Sequence, residues 1–214
     1  MPWNETMRQE ALERLKKHYS NAGPELTYSS PFQLLVAVVL SAQSTDRQVN
    51  QVTGRLFARA GKAEQLAALP LAELEMLIKG VGLYRTKARN LSRLSQILVE
   101  KHGGEVPQSF AELEALPGVG HKTASVVLAI AFGVPALAVD THVFRVANRS
   151  GLATGRSVEE VEEQLKELIS VDEWAKAHHW LLHHGRYCCT ARRPACVRCP
   201  IFQICRTYCE EMKE

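Results

Sequence analysis

The side chains with the clearest capacity for covalent chemistry are Lys122 and Asp140, which lie eighteen residues apart. Lys122 follows a glycine turn and opens an apolar stretch, residues 122–132, so we expect it in the first turn of a helix. The positive end of the helix dipole disfavours a second positive charge there by about 0.3–1 kcal/mol, which favours the neutral amine. A neutral amine is the nucleophile that Schiff-base chemistry at a sugar carbon requires, but a lysine beside a glycine turn is equally suited to binding phosphate.

Asp140 follows the apolar residues 136–139 and precedes a predicted helix over residues 141–149. This position is typical of an N-cap, whose side chain accepts hydrogen bonds from the first N–H groups of the helix. Because those bonds favour the ionised carboxylate, Asp140 could also stabilise positive charge on a sugar or activate a nucleophile. The two roles are compatible.

Two glycine turns precede predicted helices, and the second of them leads to Lys122. The second glycine turn, residues 116–121, reads Leu-Pro-Gly-Val-Gly-His, and glycine lets its backbone N–H groups approach a phosphate closely. The first glycine turn, residues 78–83, reads Ile-Lys-Gly-Val-Gly-Leu. It is either a second phosphate grip or a helix end at which Gly80 is the C-cap. Leu83 and Tyr84 indicate either ordinary packing or a wedge that enters a base stack.

All six cysteines lie in one segment, residues 188–209, which we call the cysteine loop. Such clustering is typical of a metal site rather than of a disulfide framework. Four thiolates with the spacing Cys-x6-Cys-x2-Cys-x5-Cys suffice for Zn²⁺ or for a [4Fe–4S] cluster, and they are Cys189, Cys196, Cys199 and Cys205. Cys188 and Cys209 are surplus, so the spacing alone does not fix which four bind metal.

Positive charge is concentrated around the cysteine loop. Between residues 186 and 209 the chain has no acidic residue and five arginines, Arg186, Arg192, Arg193, Arg198 and Arg206. A basic loop that a metal holds in place suits a DNA backbone, although the net charge of +3 indicates no nucleic-acid partner by itself. The histidines within residues 178–184 indicate either further metal ligands or, more commonly, core residues and partners of a helix C-terminus.

The elements that must position these residues are predicted to be helices throughout. Hydrophobic periodicity and capping signals predict helices over residues 5–19, 32–40, 45–59, 63–68, 71–79, 84–102, 109–115, 122–132, 141–149, 157–169 and 172–184. Residues 32–40 are apolar nearly all round, so this helix should be buried. No stretch alternates as a strand does, and we therefore predict an all-α protein. Apolar runs are too short for a membrane span and the first residues lack a signal pattern, so we expect a cytoplasmic protein with no membrane partner.

Three motifs together resemble the endonuclease III family of the helix-hairpin-helix DNA glycosylase superfamily. They are Leu-Pro-Gly-Val-Gly-x-Lys-Thr-Ala, Val-Asp-Thr-His-Val-Phe-Arg-Val and the cysteine spacing. The resemblance implies a [4Fe–4S] cluster on Cys189, Cys196, Cys199 and Cys205. It also implies two helical domains with a cleft between them: a six-helix barrel with the helix-hairpin-helix over residues 25–134, and a cluster domain formed by residues 1–24 and 135–214.

The resemblance further implies a base-excision-repair DNA glycosylase with AP lyase activity, acting on double-stranded DNA that carries a damaged pyrimidine or an abasic site. No apolar heptad or long apolar surface stretch stands out in the sequence, so we expect a monomer. Lys122 would be the nucleophile and Asp140 the carboxylate. Residues expected to meet DNA or to line the base pocket are Ser41, Gln43, Leu83, Gly118, Val119, Gly120, His121, Thr123, His142, Arg186, Arg192 and Arg193. His121 stands where the family pattern leads us to expect arginine or another basic residue, which predicts a weaker or pH-dependent phosphate contact.

Two other functions fit the same residues. The first is a zinc-stapled DNA-binding module in which Lys122 only touches phosphate. The second is a glycosylase with a shifted lesion choice, such as pyrimidine dimers or mismatches.

Overall fold

The computed structural model describes residues 4–211, and every regular element in this part of the chain is helical. The α-helices are α1 Glu5–His18, α2 Pro31–Ser41, α3 Asp46–Arg59, α4 Ala63–Ala67, α5 Leu71–Ile78, α6 Tyr84–His102, α7 Phe110–Glu114, α8 His121–Phe132, α9 Thr141–Ser150, α10 Val158–Leu168, α11 Trp174–Tyr187 and α12 Arg206–Glu211. The predicted all-α class is confirmed. None of the described helices has the length and apolar character needed to cross a membrane.

The chain divides into two compact units, and one of them is discontinuous in sequence. Unit 2 comprises Pro24–Val134, whereas unit 1 comprises Met1–Gly23 and Pro135–Glu214. Unit 2 therefore contains α2 to α8, and unit 1 contains α1 together with α9 to α12.

Helix α2 lies at the centre of unit 2, as its apolar sequence predicts. Each residue from position 34 to position 40 is buried, and the apolar faces of the neighbouring helices pack around them. The helix begins where the sequence indicates, because Ser30 accepts a hydrogen bond from the N–H of Gln33 and Pro31 occupies the first helical position. Thr45 and Gln48 form the predicted capping box at the start of α3.

Helices α9 and α11 form the centre of unit 1, and a glycine allows them to approach closely. A Cβ atom on Gly185 of α11 would lie 2.8 Å from the Cβ atom of His142 on α9. The core around this contact includes Leu12 and Leu15 of α1 and Trp180 and Leu181 of α11. Helix α11 runs to Tyr187, three residues beyond the predicted end. His184 and Gly185 are buried, so packing against α9 and the core stabilises this last turn.

Candidate active site and cluster loop

The second glycine turn connects α7 to α8. No side chain of this turn caps the start of α8. Val119 is buried, and its N–H donates to the carbonyl of Leu116 over 3.1 Å. Gly118 has a φ of 82°, which favours glycine, and a Cβ atom there would lie 3.2 Å from the Cβ atom of Asn90. Gly120 is the N-cap and has no side chain to bond the first N–H groups of α8. The turn thus has the properties of an anion site at a helix N-terminus.

Lys122 lies in the first turn of α8, directly behind this glycine turn. Its side chain and that of Thr123 are half-buried, whereas the following residues Ala124 and Ser125 are buried in the helix face that packs on the core. The structure therefore places Lys122 at the border between the core and the surface.

His121 is engaged with other side chains of the hairpin. Its Nδ1 atom lies 2.8 Å from a carboxylate oxygen of Glu114, and its ring stacks on Phe110 with 5.2 Å between the ring centroids. Glu114 thus brings a negative charge to the place where we expected a basic residue to meet phosphate. The weaker or pH-dependent phosphate contact of His121 stays a prediction.

Asp140 is the N-cap of α9, as predicted from its position. Its Oδ1 atom accepts hydrogen bonds from the N–H groups of His142 and Val143, both over 2.8 Å. These two bonds fix the position of the carboxylate at the start of α9.

His142 is half-buried and belongs to a polar group on α9. Its Nδ1 atom lies 3.2 Å from Arg145, whose guanidinium also donates to the carbonyls of Gly185 and Cys189 over 2.8 and 3.0 Å. Arg145 was not predicted from the sequence, because its partners lie about forty residues away. His142 is therefore fixed both by Arg145 and by the close approach of Gly185.

Ser41 ends α2, Gln43 lies in the turn that follows it, and Leu83 ends the first glycine turn; all three belong to unit 2. Ser41 is half-buried and donates to the carbonyl of Val38, whereas Gln43 and Leu83 are exposed. Gln43 and Leu83 each have a φ of 54°. Among the residues that the structure describes, these two are the non-glycine residues with a positive φ. Gly80 does not take a positive φ, and the C-cap of α5 is Lys79, so the interpretation of Gly80 as the C-cap was wrong.

The cysteine loop lines a small cavity of about 30 Å³ that is partly open to solvent. Its apolar wall includes Val146, Ile201 and Phe202, and its cysteines are Cys188, Cys189, Cys196, Cys199 and Cys205. The four cysteines of the predicted set therefore converge on one cavity with apolar walls. Four thiolates in this setting are the donor set that an iron–sulfur cluster requires, so the residues fit the group.

A second set of potential ligands overlaps with the first. The metal-binding atoms of His184, Cys188 and Cys199 lie within 4.8 Å of one another. His184 is buried and its Nδ1 atom bonds the hydroxyl of Tyr19 over 3.1 Å, which identifies it as a core histidine. The Cys188 thiol donates to the carbonyl of Ala195 over 3.7 Å, within the turn that precedes Cys196. We favour the set that spans Cys189 to Cys205, because it supplies four thiolates, whereas the set with His184 supplies only two.

Burial disfavours the thiolate form of three cysteines. It raises the pKa of the Cys199 thiol to about 12, and it also raises the pKa of Cys205 and of Cys188. Because metal coordination requires thiolates, a cluster held by Cys199 and Cys205 would displace protons from these two groups.

Arg149 anchors the cysteine loop to α9 and was not predicted from the sequence. Its guanidinium donates to the carbonyls of Thr190 and Ala191, both over 2.8 Å, and lies 3.9 Å from Sγ of Cys189. Arg192 and Arg193 follow directly and are exposed, whereas Arg186 is half-buried near the end of α11. Arg149 of α9 thus holds the backbone of the cysteine loop, whereas Arg192 and Arg193 of the loop itself are exposed.

Two family models match the chain. The HhH-GPD superfamily of base excision DNA repair proteins matches residues 36–170. The iron–sulfur binding domain of endonuclease III matches residues 189–205, which begin and end at cysteines of the predicted set. This second match decides between zinc and iron: the cofactor is a [4Fe–4S] cluster.

Relatives of known identity cover nearly the whole chain. Endonuclease III of Escherichia coli strain K12 is 48% identical over 202 residues, which are 94% of this chain and 96% of the relative. A structure of a trapped endonuclease III–DNA covalent intermediate, an estranged-adenine complex, has 47% identity and a TM-score of 0.93, covering 98% of this chain and 99% of that one. A non-covalent endonuclease III–DNA complex has 46% identity and the same TM-score, with 99% of each chain covered.

The fold and the site define a base excision DNA repair protein with a helix-hairpin-helix motif. Within that superfamily the chain belongs to the endonuclease III family, as its motifs predicted. It is accordingly an enzyme, a DNA glycosylase with AP lyase activity, and the non-catalytic DNA-binding module is not favoured.

Proposed function

We propose that the chain removes oxidised or otherwise damaged pyrimidines from double-stranded DNA and cleaves the abasic site through a Schiff base on Lys122. The observation that carries this proposal is the position of Lys122, half-buried in the first turn of α8 behind a glycine turn without a capping side chain. The turn suits a DNA phosphate, and the amine beside it suits the neighbouring sugar.

The chemistry follows from the amine. The Lys122 nitrogen attacks C1′ of the damaged nucleotide, the glycosidic bond breaks, and the base leaves with its electron pair and gains a proton. Loss of the amine proton and opening of the sugar ring give an imine between C1′ and Lys122. The imine acidifies the C2′ proton, whose removal expels the 3′ phosphate by β-elimination. Water then hydrolyses the imine and restores the free lysine.

Asp140 has the complementary role. Positive charge develops on the sugar as the glycosidic bond breaks, and a fixed carboxylate lowers the energy of that charge. Two helix N–H groups already hold Oδ1, so little reorganisation is needed during the reaction. Preorganised charges of this kind contribute about 2.7–4 kcal/mol to a transition state.

The remaining residues hold DNA and open it. We propose that Gly118, Val119 and Gly120 meet phosphate through backbone N–H groups, and that Gln43 and Leu83 fill the gap left by the extruded nucleotide. Ser41, Thr123 and His142 would line or support the base pocket. When bound to Cys189, Cys196, Cys199 and Cys205, the cluster orders the cysteine loop, so that Arg186, Arg192 and Arg193 can meet the DNA backbone.

Borohydride trapping tests the role of Lys122. Borohydride reduces the imine to a stable amine, so the wild-type protein should become covalently attached to a duplex with an abasic site. Lys122→Gln should abolish the attachment, whereas Lys101→Gln, on the exposed surface of α6, should leave it unchanged. Trapping that persists in Lys122→Gln would refute the assignment.

Asp140→Asn tests the negative charge of Asp140 separately from its role as the N-cap of α9. Asparagine is as good an N-cap as aspartate, so the unfolding temperature should stay close to that of the wild type. Base release measured in a single turnover should fall by about 10²–10³-fold, because the negative charge is lost. A wild-type rate in the folded variant would exclude a role for the carboxylate.

The ligand set is tested by comparing two adjacent cysteines. Cys189→Ser should lose the iron content and the visible absorbance of the cluster, whereas Cys188→Ser should keep both. The opposite result would assign the ligand to Cys188.

A panel of duplexes, each with one lesion, tests the choice of substrate. We expect the fastest release for oxidised pyrimidines, and faster release of pyrimidine dimers or mismatched thymine would indicate the shifted lesion choice instead. We further propose that the enzyme acts in the cytoplasm as a monomer, for which sedimentation at micromolar concentration is the test.

A further inference from the structure

Lys87 is a buried lysine that the proposed reaction does not use. It lies in the first turn of α6 and is 5% exposed. A buried ammonium group requires hydrogen-bond acceptors, and three surround this one. Its Nζ atom donates to the carbonyl of Leu40 over 2.8 Å, to the carbonyl of Ala42 over 2.5 Å and to the hydroxyl of Ser44 over 3.1 Å.

All three acceptors belong to the end of α2 and the turn that follows it. The last carbonyl groups of a helix have no partner within the helix, and they form the negative end of its dipole. The last turn of α2 has no basic residue of its own. Lys87, more than forty residues further along the chain, supplies both the missing donor and the missing positive charge.

The same network joins this turn to the first glycine turn. The hydroxyl of Ser44 accepts a hydrogen bond from the N–H of Gly82 over 3.1 Å while it receives the bond from Lys87. The two turns also approach closely here, since a Cβ atom on Gly82 would lie 3.0 Å from the carbonyl oxygen of Gln43. Lys87, Ser44 and Gly82 therefore hold the two turns together.

Each of the joined turns carries one exposed residue with a positive φ. These residues are Gln43 and Leu83, with φ of 54° in both cases and with 62% of Leu83 exposed. A left-handed conformation is strained for a non-glycine residue, so it persists where the surrounding structure fixes it. The bonds from Lys87 and Ser44 provide this restraint beside both residues.

We propose that Lys87 is a positioning residue, whose ammonium group locks the turns at Gln43 and Leu83 into one rigid pair before DNA is bound. This inference rests on the proposed function, in which those two side chains fill the gap left by an extruded nucleotide. If the two turns are already fixed, Gln43 and Leu83 can enter the base stack without first being ordered. The hydrogen bonds of Lys87 should therefore raise the rate of base release where the duplex must be opened. They should have little effect on that rate where the lesion is already unstacked.

The test compares one lesion in two settings. The first substrate has an oxidised pyrimidine in a fully paired duplex, and the second has the same lesion inside a short unpaired bubble. Base release is measured in single turnovers for the wild type, for Lys87→Met and for Lys101→Met. Methionine keeps the length of the buried stem and removes the ammonium group, and Lys101→Met removes one positive charge from the exposed part of the same helix.

Lys87→Met should lose about 10–100-fold on the paired duplex and less than about threefold on the bubble, because misplacement of such residues by about 1 Å has effects of this size. Lys101→Met should match the wild type on both. An equal loss on both substrates would show a merely structural role, and no loss on either would show no role. Both results overturn the inference while leaving the proposed function intact. Release from neither substrate by the wild type would instead refute the proposed function.

Ser44→Ala provides a second test if Lys87→Met does not fold. It removes only the bridge to Gly82, so the ratio of paired-duplex to bubble rates should fall by about threefold or more, as loss of one hydrogen bond predicts. An unchanged ratio in this variant would also overturn the inference. In a duplex with 2-aminopurine beside the lesion, the fluorescence rise on opening of the stack should be slower in both variants.

Discussion

The two glycine turns have nearly the same sequence and the same first hydrogen bond, yet they present different groups to the surface. In each turn the valine is buried and its N–H donates over 3.1 Å, from Val81 to Ile78 and from Val119 to Leu116. The turns differ in the residue that takes the positive φ. In the second turn it is Gly118, inside the turn, and in the first it is Leu83, at the N-cap of α6.

This difference decides which group each turn presents at the surface. Where the glycine absorbs the reversal, α8 follows Gly120, an N-cap without a side-chain hydrogen bond to the helix. Where Leu83 absorbs it, an apolar side chain is exposed at the start of α6. The same motif thus leads to a glycine N-cap in one place and to an exposed apolar side chain in the other.

The largest effect that tests this comparison is expected from Gly118→Ala. A Cβ atom at a φ of 82° is strained and also meets Asn90, so we expect the free energy of unfolding to fall by about 2–3 kcal/mol. Gly133→Ala is the matched control, because Gly133 has a φ of 66° with no atom within 4 Å of its Cβ position. It should cost about 1 kcal/mol. Equal losses in urea unfolding would contradict a role for the contact with Asn90.

Leu83→Ala should have the next largest effect. It should lower the rate of base release without changing the stability of the fold. The side chain is 62% exposed, so its removal should leave the unfolding temperature nearly unchanged. Base release from a paired duplex should fall by about tenfold, since the apolar contact that replaces the extruded nucleotide is lost. A full rate on the paired duplex would show that the first turn does not project into the base stack.

Leu83→Gly should change stability and activity in opposite directions. Glycine adopts the φ of 54° without strain, which should stabilise the fold by about 0.5–1 kcal/mol in thermal unfolding. The rate on a paired duplex should still fall at least as far as in Leu83→Ala. If the variant is less stable than the wild type, the left-handed backbone at Leu83 is not a source of strain.

Gly120→Ala should have a small effect on the fold. Gly120 has a φ of −104° and no atom within 4 Å of its Cβ position, so alanine costs only its poorer N-cap preference, about 0.5 kcal/mol. The added methyl group would stand beside the proposed phosphate site. Binding to a duplex with an abasic-site analogue, measured by anisotropy, should therefore weaken more than the stability loss implies, and binding that does not weaken would place phosphate elsewhere.

Much of the fold followed from local signals in the sequence. The helix starts at Ser30 and Thr45 and the helix end at Gly133 depend on neighbouring residues, and the described structure has them where predicted. The N-cap role of Asp140 was also visible, because its partners His142 and Val143 lie only two and three residues further along the chain. Such features could be predicted because their partners are adjacent in the chain.

The features that escaped prediction depend on partners far away in the chain. Lys87 follows Arg85 and precedes Arg89, which indicates an exposed basic helix surface, yet its acceptors are 43–47 residues away. Arg149 looks like an ordinary basic residue near the end of a helix until the cysteine loop folds against it. A lysine in the first turn of a helix can be either a nucleophile or a phosphate contact. The nucleophile role of Lys122 was therefore inferred from the family resemblance.

The discontinuity of unit 1 has a consequence for the order of events during protein synthesis. All of unit 2 is one continuous segment, so it can fold as soon as Val134 has left the ribosome. Helix α1 is made first but must wait for α11, because Tyr19 meets His184 across 165 residues of chain. The cysteines follow α11, so iron is the last component to be added. A nascent chain that stalls after α8 would hold a finished unit 2 and an unpartnered α1.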